Sequence, residues 1–141
     1  MISDKMQKAL NAQINAEIFS SYLYLSMAAY LESQNWSGMP AWMKVQSGEE
    51  YGHAMKIYGY LNEVDGTVIL DTIEKPKATW KSPLQVFEEA YQHELEITKK
   101  INDLVGLAIE EKDYATNLFI NWFVTEQVEE IATVTQIINK F

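Results

Sequence analysis

Residues 67–82 read TVILDTIEKPKATWKS, and they are unlike anything else in the chain. They hold a short β-branched run (Thr67-Val68-Ile69), a proline at Pro76 and no sustained helical period. On either side the pattern is helical. Upstream, Asp65-Gly66 is a turn signal that closes a helix beginning near Pro40 and reaching Val64. Downstream, Ser82-Pro83 reads as an N-cap followed by proline at the first helical position, opening a helix that runs to about Glu111. Further out the breaks are short. Ser33-Gln34-Asn35-Trp36-Ser37-Gly38 separates the second helix from a first that begins at Ser3-Asp4. Lys112-Asp113 separates the third from a fourth that runs to the end, with Asp113 as its N-cap. Short loops force antiparallel neighbours, whereas a connection of 16 residues can travel the length of a bundle. The order helix, short loop, helix, long loop, helix, short turn, helix predicts an all-α four-helix bundle with one long crossover and with helices two and three parallel. No internal repeat and no low-complexity tract interrupts it.

Composition agrees with one such domain. The chain has 141 residues and is 48% hydrophobic, enough for a real core but not for two. Twenty acidic residues against eleven basic ones give a formal net charge of −9. Such a surface repels nucleic acid and anionic membranes and suits cations. There is no cysteine, which excludes a disulfide scaffold, a thiolate zinc site and a cysteine nucleophile. No apolar run approaches the roughly 20 residues of a membrane span. Met1-Ile2-Ser3-Asp4-Lys5 lacks a signal peptide's apolar stretch. A cytoplasmic location is the expectation.

The apolar stripe of each helix, read at i, i+3, i+4 and i+7, is interrupted near its middle. Glu17 breaks the first, Glu50 and His53 the second, Glu94 the third, and Gln127 and Glu130 the fourth. Mid-helix positions meet whether neighbours run parallel or antiparallel, so these six residues converge in one layer of the core. Four buried carboxylates cost several kcal/mol each to desolvate, and their mutual repulsion adds to that. Two divalent cations would neutralise them. Glu50 and His53, at i, i+3, share a face and can aim at one metal. An oxygen-rich set with one imidazole suits iron or manganese better than zinc. His93 has no partner at metal spacing and reads as a surface residue. Glu49, Glu126 and Glu129 flank the stripe, either as an adjacent acidic cluster or as a solvated face.

The residues also resemble a known family. Asn11-Ala12-Gln13-Ile14-Asn15-Ala16-Glu17 with Ser20-Ser21-Tyr22-Leu23-Tyr24-Leu25-Ser26-Met27 is similar to the first helix of prokaryotic non-haem ferritins. So are Trp42-Met43-Lys44 with Glu49-Glu50-Tyr51-Gly52-His53-Ala54, the run Glu110 to Thr116, and Trp122-Phe123 with Glu126-Gln127-Val128-Glu129-Glu130. The similarity covers essentially the whole chain, 1–141, as a single ferritin-like di-iron domain. The resemblance implies a ferroxidase centre. Glu17 and His53 would bind one iron, Glu50 would bridge, and Glu94 and Glu130 would bind the second, with Gln127 beside it. Glu49, Glu126 and Glu129, sharing Glu130, match a third iron site. Tyr24 matches a tyrosine packed behind the ligands, and Trp122 would lie close enough to be an additional electron donor. The activity implied is oxidation of paired Fe²⁺ by O₂ or peroxide, with ferric mineral stored in a 24-mer shell of identical subunits. No haem is expected, since Tyr51 stands where bacterioferritins carry the haem-ligating methionine and Gln127-x-x-Glu130 replaces their Glu-x-x-His.

Three departures from the family pattern stand out. Family chains continue into a short fifth helix, and this sequence ends at Ile137-Ile138-Asn139-Lys140-Phe141. That motivates an alternative, a di-iron or di-manganese oxidase or peroxide scavenger that forms no closed cage. Gly48, with Gly52 and Gly59, puts three glycines in the second helix, each costing roughly 0.8–1 kcal/mol against alanine; a close helix or subunit contact would explain so small a face. Ile131 stands where a further glutamate is common.

Overall fold

A computed structural model describes residues 2–141. Met1, the first residue of the leader reading, lies outside them. Four helices follow in order: α1 (Asp4–Ser33), α2 (Met39–Glu63), α3 (Pro83–Glu110) and α4 (Tyr114–Asn139). No strand occurs among the described residues. The expected helix ends are where the capping chemistry puts them. Ser3 accepts from the Met6 amide, Ser82 from Gln85 and Asp113 from Thr116, each satisfying a backbone donor that the first turn leaves free.

The turn after α2 works differently from its sequence signal. Asp65, not Gly66, takes the left-handed conformation, with φ 58°. Gly66 is needed for room instead. A Cβ there would lie 2.8 Å from Cδ2 and 3.1 Å from the carbonyl oxygen of Leu61.

Side-chain pairs fix the directions. Ser21 meets Ser47, so α1 and α2 are antiparallel neighbours. Ser3 reaches Glu111 and Ser20 reaches His93, so α1 and α3 are antiparallel too. Helices α2 and α3 are therefore parallel, as the long connection requires. That connection lies along α1 as a strap. Gln7 accepts from the Thr67 amide, Asn11 donates to the Thr67 carbonyl and accepts from the Ile69 amide, Asn15 donates to Thr72, and Ser26 to Lys77. Its far end is anchored by Trp80, which is buried edge-on against Tyr30 and donates its indole N–H to Glu89.

The core is split in two. One apolar cluster holds Met6, Leu10, Ile57, Leu61, Ile101 and Ile120; the other holds Met27, Leu31, Met43, Val86, Phe87 and Val134. Between them lies a layer of buried polar side chains. The three glycines of α2 do not pack closely inside the chain, since an added Cβ on Gly48, Gly52 or Gly59 would meet nothing within 4 Å.

Candidate metal centre

All six residues that interrupt the stripes are buried and meet in that layer. Each arrives by the same device, a helix whose neighbouring turns pack in the apolar clusters and so hold the polar residue between them. Glu17 and Glu50 are fully buried. Glu17 comes from α1, Glu50 and His53 from α2. Nδ1 of His53 lies 3.3 Å from Oε2 of Glu50 and 3.8 Å from Oε2 of Glu17. Those three atoms are the only buried side-chain nitrogen or oxygen atoms without a hydrogen-bond partner among the described residues. Buried polar groups are almost always paired, and three orphans beside one another form a group that could hold a cation.

A second group lies alongside. Glu50, Glu94 and Glu130 each offer a carboxylate oxygen, all within 4.8 Å of one another. Glu50 belongs to both groups and stands between two potential metal positions. Glu94 is held from two directions. The Tyr24 hydroxyl donates to its Oε1, and Nε2 of Gln127 donates to its Oε2 at 3.0 Å. Gln127 also reaches Thr98 at 3.1 Å.

The electrostatics fit an unmet need for positive charge. Burial pushes the Glu50 carboxyl well above the usual range, with Glu17 and Glu94 adding to it. Burial also raises Glu94, against the donors Tyr24 and Gln127. Glu130 is pushed up to about 7, by burial first and then by Glu94. Burial alone would lower the His53 imidazole, but the Glu17 and Glu50 carboxylates outweigh it and hold the ring at about 10. Burial and the neighbouring carboxylates drive the Tyr24 phenol upward. In each case protons stand in for the cation that the geometry invites.

The chain matches the model of the ferritin-like domain over residues 7–141. The bacterial non-heme ferritin of Bacteroides fragilis is 46% identical over 140 residues, covering 99% of this chain and 88% of that protein. The chain belongs to the ferritin family. The Campylobacter jejuni bacterial non-heme ferritin is 42% identical over 99% of this chain and 84% of that protein. Among solved structures, the open pore ferritin of Archaeoglobus fulgidus superposes with a TM-score of 0.98 at 51% identity, covering 99% of this chain and 86% of that one. Chlorobium tepidum ferritin gives 0.96 at 39% identity, over 99% and 85%.

The flanking acids of this ferritin chain are not placed alike. Glu126 is half-buried and can share a position with His53 and Glu130, with ligand atoms within 4.8 Å. Glu49 and Glu129 are exposed. Trp122 stands edge-on to His53, ring centres 5.5 Å apart, and Nζ of Lys56 sits 3.4 Å over its indole.

His93 is not the surface residue that its spacing suggests. It is tucked between α1 and α3, with its Nε2 2.7 Å from Oγ of Ser20 and its ring against Phe19 and Tyr24. Burial lowers its imidazole. Because the Ser20 hydroxyl is 2.9 Å from the Ala16 carbonyl and donates there, Nε2 carries the proton that closes the His93–Ser20 contact. Two further buried glutamines on the stripes of α1 and α2 serve the same carboxylates, beyond the six residues expected from the sequence. Gln13 donates to Glu17 and Gln46 to Glu50 and Glu130. The repeated pattern Gln-x-x-x-Glu at 13–17 and 46–50 was the available signal.

Proposed function

We propose that this ferritin chain stores iron by oxidising it in the polar layer. Two Fe²⁺ bind, one to Glu17 and His53, the other to Glu94 and Glu130, with Glu50 bridging. Each iron gives up one electron. O₂ takes both with two protons and leaves as H₂O₂, or H₂O₂ takes both with two protons and leaves as two waters. The Fe³⁺ then passes to a mineral inside a shell of identical subunits, 24 by the family's pattern, in the cytoplasm. The observation that carries this reading is the convergence of Glu17 Oε2, Glu50 Oε2 and His53 Nδ1, all three unpartnered.

The chain's own groups have distinct tasks. Glu50 lies in both ligand groups, so one residue can hold the two irons near each other and let both electrons reach one oxidant. Tyr24 and Gln127 fix the Glu94 carboxylate from behind. The apolar clusters above and below keep bulk water from the layer. Glu126 and Glu130, with Glu49 and Glu129 outside them, form the route and third iron position between this centre and the surface. The net charge of −9 favours Fe²⁺ accumulation and mineral nucleation. Similarity to named ferritins over nearly the whole chain favours storage over the non-storing alternative.

Light scattering behind size exclusion, on aerobically iron-loaded protein with iron counted per subunit, tests this. The expected result is a shell-sized particle holding far more iron than its binding sites can account for. A small particle saturating at two or three irons per chain would move the function from storage to iron or peroxide chemistry.

A further inference from the structure

Gln13 and Gln46 hold equivalent places on antiparallel helices, each one turn before a buried glutamate. Both are buried themselves. Nε2 of Gln13 donates to Oε1 of Glu17 at 3.1 Å. Nε2 of Gln46 donates to Oε1 of Glu50 at 3.2 Å and to Oε2 of Glu130, across the layer on α4. A primary amide has two N–H bonds, so both of those on Gln46 are engaged by carboxylates.

These bonds sort the oxygens. In Glu17 and in Glu50 the amide takes Oε1, and Oε2 is the atom left free beside His53. A donor on one oxygen fixes the plane of a carboxylate and turns the other oxygen inward, which is how outer partners tune a metal site. The two amides differ in which carboxylate they serve. Gln13 serves Glu17, which belongs only to the group with Glu50 and His53. Gln46 spans the layer to Glu130, which belongs with Glu50 and Glu94. It also holds the shared Glu50, whose free oxygen faces His53.

We propose that Gln13 and Gln46 are positioning residues of different reach: Gln13, through Glu17 alone, sets the affinity of the position formed by Glu17, Glu50 and His53, whereas Gln46, through Glu50 and Glu130, sets that of both positions. The inference rests on the two-metal reading above. It makes the first affinity adjustable without the second, through a residue that acts on a carboxylate and not on the metal.

The test is an anaerobic titration with Co²⁺, followed by its visible absorption, of the full chain and of Gln13→Met and Gln46→Met. Methionine keeps the length of glutamine and removes its donors. Gln46→Met weakens binding at both positions by about 10–100-fold, and Gln13→Met weakens the first by as much while leaving the second within about threefold. The one-sided loss in the Gln13 variant is what general damage to the bundle would not produce, and the melting temperature of each metal-free variant reports such damage. Should Gln46→Met fail to fold, Gln46→Leu removes the same donors with a branched side chain of similar volume. Equal weakening of both steps in the Gln13 variant, or either step unchanged in the Gln46 variant, overturns the proposal while the two-metal reading stands. A parent protein that takes up no pair of Co²⁺ ions overturns that reading instead.

Discussion

Oε2 of Glu50 lies 3.3 Å from Nδ1 of His53, and neither atom has a hydrogen-bond partner. The pair sits at i, i+3 on α2, and Glu50 also faces Glu94 and Glu130. Replacing Glu50 removes a ligand from both positions at once. Glu50→Ala lowers the initial rate of Fe²⁺ oxidation by at least ~100-fold, beyond what loss of an outer partner produces. Stopped-flow absorbance under air measures this, and a rate near that of the parent protein would remove Glu50 from the centre.

Glu129 gives the opposite case. It is exposed on α4, outside the buried layer. Glu129→Ala leaves the first oxidation step within about threefold of the parent, because the buried ligands are untouched. Its effect falls on later turnovers, when iron must leave the centre. Repeated additions of Fe²⁺ to one sample separate the two phases. Equal failure of the first step would place Glu129 in the main centre.

The metal-free protein has a defined pH dependence. A group whose pKa is raised by folding adds stability that is complete below its unfolded value and is lost as pH rises through its folded value. For Glu130 that window runs from 4.5 to about 7, and for His53 from 6.5 to about 10. Glu50 and Glu94 shift in the same direction. The melting temperature of metal-free protein therefore falls as pH is raised from about 5 to about 9. Bound Co²⁺ or Zn²⁺ displaces these protons, so the slope flattens or reverses, and calorimetry in two buffers of different ionisation enthalpy detects proton release. A metal-free profile that rises over this range would contradict the assignment.

Two glycines, one within α2 and one in the turn after it, separate helix propensity from packing. Gly48 is exposed in α2 with open space at its Cβ position. Gly48→Ala stabilises the chain by about 0.8–1 kcal/mol, the difference in helix propensity. At Gly66 the added methyl meets Leu61 at 2.8 Å. Gly66→Ala destabilises by about 1–3 kcal/mol through overpacking. Thermal unfolding of both variants checks the opposite signs.

The parts of this fold that could be read from residue order are those with local causes. Ser3, Ser82 and Asp113 announce helix starts because each satisfies an amide three residues on. The polar layer could be read because charged residues sit where the helical period demands apolar ones. What was missed depends on partners distant in sequence. His93 stands beside the stripe of α3, and only the approach of α1 encloses it. Gln7, Asn11 and Asn15 look like ordinary surface amides until the strap arrives 56–60 residues later to use them. Gln46 needs α4 to reveal its second acceptor.

The division of ligands between helices bears on how the chain comes together. Helices α1 and α2 are joined by a short loop, and a hairpin of this kind forms through contacts close in sequence, which is the fast part of folding. Glu17, Glu50 and His53 all belong to that hairpin. The other group takes Glu94 and Glu130 from α3 and α4, which join only when the strap has closed a much longer loop. One candidate cation position is thus complete within the α1–α2 hairpin. The other exists only once both hairpins have docked, so its occupancy reports that folding is finished.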